Sequence, residues 1–413
     1  MKLRCRECGR SCEMAVYPRG CPACASGDGL GLLEVTHEYD GEAKRGLQWA
    51  FERPAWRSVW RFACLLPPPS SDARRLTLGE GGTPLLEADW LSHLAPVGSV
   101  YLKNDTVNPT WCSKDRGNAV SVSVGLALGA CGMVAVTTGN HGASVAAYSA
   151  RAQVPAIALC SPHSDVVHRA MIAMYGGTAI VSGNREAILR YLVRDCGWFP
   201  CTSMSDHDAP NPYGVEGFKT LAYEIYEDLR GAPDAVFVPT ASGDLLFGIH
   251  KGFRELMELG FTSSCPRVIG CQAAGAAPLA AAFQNALERV PVLPNPTTVA
   301  VSIGDATSGR NALAAVRESG GDVVVVSDEQ ILNAQRLLAA NGLLAEAASA
   351  AAVAALTAAS RARAASRRER VVCVLTGAGA KWSSQLASVA MNRVLIEPQL
   401  RAVTALVRKT APR

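Results

Sequence analysis

The chain has 413 residues, 49% of them hydrophobic and 18% charged, with 37 glycines, the composition of a globular α/β protein with more than one buried core. A net charge of +4 with dispersed basic residues gives no footing for nucleic-acid binding driven by charge. The start Met1-Lys-Leu-Arg-Cys5 lacks an apolar signal core and no unbroken membrane-length run occurs, so a cytoplasmic chain with reduced cysteines and no membrane partner is expected.

The first motif is Cys5-x2-Cys8 with Cys21-x2-Cys24, the spacing of a zinc ribbon. Knuckles at Cys8-Gly9 and Cys21-Pro22 let the paired thiolates face one tetrahedral ion. Four soft ligands with no histidine argue for a closed, structural zinc site in a unit over 1–40. A unit of that size could hardly build a core without its metal. Residues 41–75, rich in Trp and Pro and containing Pro67-Pro-Pro-Ser-Ser-Asp72, read as a connector packed on the main body.

From Leu76 onward strands and helices alternate. Short apolar runs predict strands over 99–103, 133–137, 155–160, 178–181, 235–239, 267–271, 322–326 and 370–375. Helices are expected over 115–128, 143–152, 165–175, 185–196, 218–229 and 245–259. The alanine-rich stretch 345–365, interrupted by Glu346 and Ser349, reads as a packed helix, and the basic cluster from Arg361 to Arg370 as a solvated helix end. Continuous apolar strands suit parallel sheets covered on both faces, where ligands lie at the strands' carboxyl ends.

Four segments carry chemistry. Asn108-Pro-Thr-Trp-Cys-Ser-Lys114-Asp-Arg-Gly117 holds one lysine between a turn and a helix start, as Schiff-base chemistry on pyridoxal phosphate requires. Thr137-Thr-Gly-Asn-His-Gly142 turns from a strand into a helix N-terminus, a seat for a carboxylate or phosphate. Thr240-Ala-Ser-Gly-Asp244 has the same architecture and suits a phosphate dianion. Thr376-Gly-Ala-Gly379 presents a hydroxyl at a strand end, able to hydrogen-bond a ring nitrogen without supplying a charge.

In this order the motifs resemble the fold-type II pyridoxal-phosphate enzymes, and within them the threonine synthases. The resemblance extends through Leu78-Gly-Glu-Gly-Gly-Thr-Pro-Leu85, Asn211-Pro-Tyr-Gly-Val-Glu-Gly-Phe-Lys-Thr220, Ser302-Ile-Gly-Asp305 and Glu346-Ala-Ala-Ser-Ala350. It implies two doubly wound parallel-sheet domains of the tryptophan-synthase-β-like kind. A large cofactor domain would span 41–120 and 206–413, and a smaller mobile one 121–205. It further implies that Lys114 forms the aldimine and moves the Cα proton, and that Asn140 bonds the cofactor's 3′ oxygen. Thr137, Thr138, Gly139 and His141 would hold the substrate carboxylate. Ala241, Ser242, Gly243, Asp244 and Leu245 would grip the cofactor phosphate, with Thr376 facing the pyridine nitrogen. A small amino-acid substrate and a homodimer are the expected partners.

The chain departs from that family at several of these positions. The usual Gly-Ser-Phe before the lysine is Trp111-Cys112-Ser113. The arginine after the Asn-Pro-aromatic motif, which grips a phosphate in threonine synthases, is Gly214, and the Asn-Ser pair before it is Asp208-Ala209. Retained threonine synthesis would then need another cation, Lys219 or Arg310. The competing reactions are ammonia elimination from serine or threonine and β-replacement on an activated serine. A binding protein that has lost turnover is the alternative of another class.

Overall fold

The computed structural model describes residues 1–24, 31–67, 75–95, 97–204, 210–362 and 369–387. Most of the Pro67–Asp72 run, the pair Asp208-Ala209 and residues 363–368 of the basic cluster lie outside the described residues.

The N-terminal strands β1 (Lys2–Cys5), β2 (Ser11–Cys12) and β3 (Leu33–Thr36) form an antiparallel sheet in the order β2-β1-β3. Alternation sends Leu3, Leu33 and Val35 to one face, where they join the main hydrophobic core. The unit therefore does not rest on its own core, as the sequence suggested: too small to bury an apolar face alone, it lays that face on the body. Polar contacts fix the docking. Lys251 Nζ donates to the Val35 carbonyl at 2.5 Å, Arg6 bridges Glu34 and Glu318 at 3.1 and 3.0 Å, and Arg310 reaches Glu7 at 3.0 Å.

The connector packs as expected but contains a helix, Gly41–Phe51. The Asp40 carboxylate caps it by accepting from the amides of Glu42 and Ala43, each at 2.9 Å. Trp60 and Phe62, in the 3-10 turn Val59–Leu65, are buried.

Two further sheets carry the body. Chain order gives β4 (Leu85–Glu87), β5 (Ser99–Asn104), β6 (Met133–Thr137), β7 (Ala156–Cys160), β8 (Thr178–Val181), β9 (Phe199–Pro200), β10 (Ala235–Pro239), β11 (Arg267–Ala273), β12 (Asp322–Val326) and β13 (Arg370–Leu375). The smaller sheet runs β8-β7-β6-β9, all parallel. The larger runs β12-β11-β10-β13-β5-β4 and is mixed, because β4 pairs with β5 antiparallel. This corrects the expectation of purely parallel sheets. Residues 88–98 are too few for the crossover of about a dozen or more residues that a parallel neighbour needs.

Three helices, Lys114–Ala127, Gly214–Leu229 and Asp244–Glu258, stack behind the cleft. Glycine sets their spacing: a Cβ added at Gly217 would lie 2.0 Å from the Arg116 carbonyl oxygen. The alanine-rich segment is the helix Ala347–Ala362, packed against β10, β12 and β13. Small side chains let it lie close to the sheet. Among the described residues no helix is long and apolar enough to cross a membrane.

Candidate active site

The loops that leave β6, β10 and β13 at their carboxyl ends converge on one cleft of about 380 Å³. Lys114, Thr137, Thr138, Asn140, His141, Ala241, Ser242, Gly243, Asp244, Leu245 and Thr376 all line it. Of the residues expected around the cofactor and substrate, only Gly139 does not.

Lys114 is the first residue of its helix. Its Nζ lies 5.5 Å from the centre of the Phe218 ring, and that ring also lines the cleft. The approach to the lysine is held by main-chain bonds to the loop after β13. Ser113 N–H donates to the Thr376 carbonyl at 2.8 Å, and Ala378 N–H donates to the Trp111 carbonyl at 3.0 Å. Trp111 adopts φ 61°, the left-handed region that favours glycine. Asp115, beside the lysine, accepts from the Ser144 hydroxyl at 2.6 Å and from the Thr110 hydroxyl and amide at 2.5 and 2.7 Å. Burial raises its carboxyl to about 6 against these bonds.

The loop 137–142 spends much of its donor capacity on itself. Thr137 Oγ1 accepts from the amides of Gly139 at 2.8 Å and Gly142 at 2.9 Å. The Gly139 amide is thus engaged inside the turn. The residue's φ of 154° and a would-be Cβ only 2.8 Å from the His168 ring explain why glycine stands there. His141 Nε2 donates to the Cys201 carbonyl at 2.5 Å, leaving Nδ1 to accept from Asn118 Nδ2 at 3.5 Å. Burial, with the Lys114 charge adding to it, lowers His141 to about 4, so the ring is neutral at pH 7.

Asn140 sits at the centre of a network that the sequence did not reveal. Its Nδ2 donates to Glu346 Oε2 at 2.9 Å and to Ser302 Oγ at 3.1 Å, while Oδ1 accepts from His168 Nε2 at 3.0 Å. Glu346 also accepts from the Trp382 indole at 2.6 Å. The signal available in sequence was a lone acid at the mouth of an alanine helix, a position that the helix dipole favours for a carboxylate.

Around Asp244 the cleft is anionic. Its carboxylate accepts from Met204 N–H at 3.1 Å. Burial raises it to about 6, although the Lys114 charge pulls the other way. Gly243 has φ 95°, and a Cβ there would meet Ala312 Cβ at 2.2 Å. Among the described residues no hydrogen bond takes up the amides of Ala241, Ser242, Gly243 or Leu245. They precede or open the helix Asp244–Glu258 and form a ready cradle for an anion. Thr376 Oγ1 lies 3.1 Å from the Ser349 hydroxyl, which is neutral. The two candidate replacement cations are elsewhere: Lys219 is bound to Glu216 and Glu255 at 2.6 and 2.9 Å, Arg310 is paired with Glu7, and neither lines the cleft.

The four N-terminal thiols form a second cluster. The Sγ atoms of Cys5, Cys8, Cys21 and Cys24 all lie within 4.8 Å of one another. Cys5 and Cys24 are 3.8 Å apart and Cys8 and Cys21 3.7 Å. A tetrahedral ion with Zn–S bonds of about 2.3 Å places its ligand sulfurs about 3.8 Å apart, so the donor set fits zinc.

The chain is similar to known proteins. The family model described as pyridoxal-phosphate dependent enzyme matches residues 76–377. The threonine synthase of Methanosarcina acetivorans is 33% identical over 407 residues, 97% of each chain. That of Methanocaldococcus jannaschii is 32% identical and covers 99% of this chain and 100% of its own. Among solved structures, the processed form of threonine deaminase isoform 2 from Solanum lycopersicum superposes with a TM-score of 0.62 at 19% identity, covering 91% of this chain and 97% of that one. Maize serine racemase does so with a TM-score of 0.63 at 19% identity, covering 83% and 96%. These two likenesses bear on the fold alone.

Proposed function

Because the chain belongs to the family of pyridoxal-phosphate-dependent enzymes, in its fold-type II, threonine-synthase-like branch, we propose that it is a lyase acting at Cβ or Cγ of a small α-amino acid. The observation that carries the reading is Lys114 at a helix start in the cleft where three strand-end loops meet. The donor set fits the cofactor. Lys114 offers the amine, the free amides of Ala241, Ser242, Gly243 and Leu245 a phosphate seat, and Thr376 a partner for the ring nitrogen, while Asn140 would give the ring oxygen a donor by exchanging its Nδ2 bond to Ser302. When bound, the cofactor supplies the electron sink that allows a bond to Cα to break.

The protein's own groups do the rest. Lys114 carries the proton to and from Cα. Thr376, held by Ser349, offers the ring an uncharged partner, which favours elimination or replacement over transamination. Neutral His141 stays fixed by Cys201 and Asn118 beside Lys114 without competing for its proton. Thr138 keeps a hydroxyl and an amide for the substrate carboxylate.

Gly214 supplies no guanidinium, and Lys219 and Arg310 are engaged away from the cleft. We therefore favour a substrate whose leaving group is uncharged, as in serine or threonine ammonia-lyase chemistry, where the β-hydroxyl leaves as water and ammonia is released afterwards by hydrolysis. The same reading takes 121–205, which contains the four-stranded sheet, to be a mobile smaller domain and the enzyme to be a cytoplasmic homodimer. It assigns zinc to the four thiols.

The test compares keto-acid release from L-threonine and L-serine with phosphate release from O-phosphohomoserine. Lys114→Ala should abolish turnover and the visible absorbance of the cofactor-loaded protein while the circular dichroism stays native. Turnover retained in that variant removes Lys114 from its role.

A further inference from the structure

We propose that Arg185 is the charged ligand of the substrate's α-carboxylate, an assignment that rests on reading the cleft as an amino-acid site. Arg185 opens the helix Arg185–Asp195 and lines the cleft. Among the described lining residues, only Lys114 and Arg185 bear a positive charge, since His141 is neutral. Lys114 is committed to the cofactor. Arg185 is half-buried, and within the described residues no hydrogen bond or ion pair holds its guanidinium.

Its place in the fold is the place where a carboxylate arrives. β6 and β8 are parallel members of the smaller sheet. The Thr138 turn leaves the carboxyl end of β6, and the segment leading to Arg185 leaves the same end of β8. Between them β7 ends at Cys160. The Cys160 thiol is raised by burial, and the charges of Arg169 and Arg185 oppose that rise. Arg185 thus stands at the edge of the sheet from which the Thr138 turn springs. One helical turn on, Leu189 lines the same wall together with Val136, an apolar surface that strengthens a charge pair beside it.

The need for such a cation follows from the turn. Gly139 N–H is taken by Thr137, and both ring nitrogens of His141 have partners. Thr138 then offers only uncharged donors, whereas a guanidinium can bind a carboxylate through two parallel bonds. Of the carboxylates in the lining, Asp244 and Asp305 come from chain segments after β10, and Glu346, which lies against the turn itself, is engaged by Asn140 and Trp382. Glu186 shares the Arg185 wall but is solvent-exposed, where water screens its charge.

The experiment follows the visible absorbance of the cofactor-loaded enzyme during titration with L-threonine, L-threoninamide and inorganic phosphate, for wild type, Arg185→Gln and Arg185→Lys. Arg185→Gln should weaken L-threonine by about tenfold or more, the loss expected for a charge-assisted bond, and leave the amide unchanged. Arg185→Lys should recover part of the loss. Equal effects on acid and amide, no effect on either, or a loss confined to inorganic phosphate would each overturn the assignment. A wild-type enzyme whose absorbance responds to no amino acid would instead sink the amino-acid reading itself, and this assignment with it.

Discussion

The Arg116 guanidinium meets the Glu224 carboxylate through two bonds, Nη1 to Oε1 at 2.6 Å and Nη2 to Oε2 at 2.8 Å, with both side chains buried. Asp105 takes the other edge of the guanidinium at 2.8 and 2.9 Å. Burial works against the charge, and the two carboxylates more than offset it, holding the arginine protonated. Two residues before it stands Lys114. The pair thus fixes the rotation of the lysine helix about its axis against the helix Gly214–Leu229.

Arg116→Gln should therefore be severe. It leaves Asp105 without its cation and Glu224 with Lys103 alone at 3.0 Å, and breaking a buried pair costs about 3–5 kcal/mol. Denaturant unfolding measures it; a loss below about 1 kcal/mol, the range of an exposed pair, would mean that the arrangement is not holding the helices.

Trp111 offers a gain. Its left-handed backbone costs a non-glycine residue about 1–2 kcal/mol, and the side chain is 49% exposed, so little burial is lost with it. Trp111→Gly should be neutral or stabilise the fold by about 1 kcal/mol, after the greater freedom of unfolded glycine is subtracted. A clear drop in melting temperature would show that the indole makes contacts of its own.

Asp244 should make stability depend on pH. Its carboxyl, raised by burial to about 6, favours the native state while protonated. That contribution is complete below the unfolded value and lost as pH rises through about 6. Asn keeps an acceptor for the Met204 amide and cannot ionise. Relative to wild type, Asp244→Asn should gain stability progressively as pH rises from about 4 to about 7, read from denaturation midpoints of the cofactor-free protein. A constant difference across that range would deny the titration.

The thiol cluster gives a metal prediction. Cys5→Ser should lower bound zinc, measured by elemental analysis, and loosen the N-terminal sheet to proteolysis. Because Leu3, Leu33 and Val35 share the main core, the body should keep its cofactor. Unchanged metal content in the variant would reject the site.

Most strands were legible in the sequence because both faces are covered: Met133–Thr137, Ala235–Pro239, Asp322–Val326 and Arg370–Leu375 have the expected ends. Helix starts expected at 115, 165, 185 and 245 fall within one residue of those observed, but two others do not. The expected starts at residues 143 and 218 fall three and four residues late, the structure beginning at Asn140 and Gly214. Glycine reads as a breaker there, yet Gly142 lies where a Cβ would strike Thr137 Cγ2 at 2.6 Å. Close approach, not backbone freedom, put it inside a helix. The helices Arg310–Glu318 and Asp328–Ala340 passed unread. At the site, residue identities were legible and partnerships were not. Nothing local to Asn140 announces Glu346, since that contact closes across 206 positions of chain.

The bonds that tie residues 111–113 to the loop after β13 run between peptide groups, Ser113 to Thr376 and Ala378 to Trp111, and Lys381 Nζ adds one to the Thr110 carbonyl at 2.9 Å. Peptide groups are common to every amino acid, so the stitching is indifferent to which side chains occupy 111–113. A lineage can exchange those side chains, and so reshape what surrounds the amine, while its anchorage to the sheet stays put. An unusual Trp-Cys-Ser at this spot is then a licence to alter the guest without moving the hook.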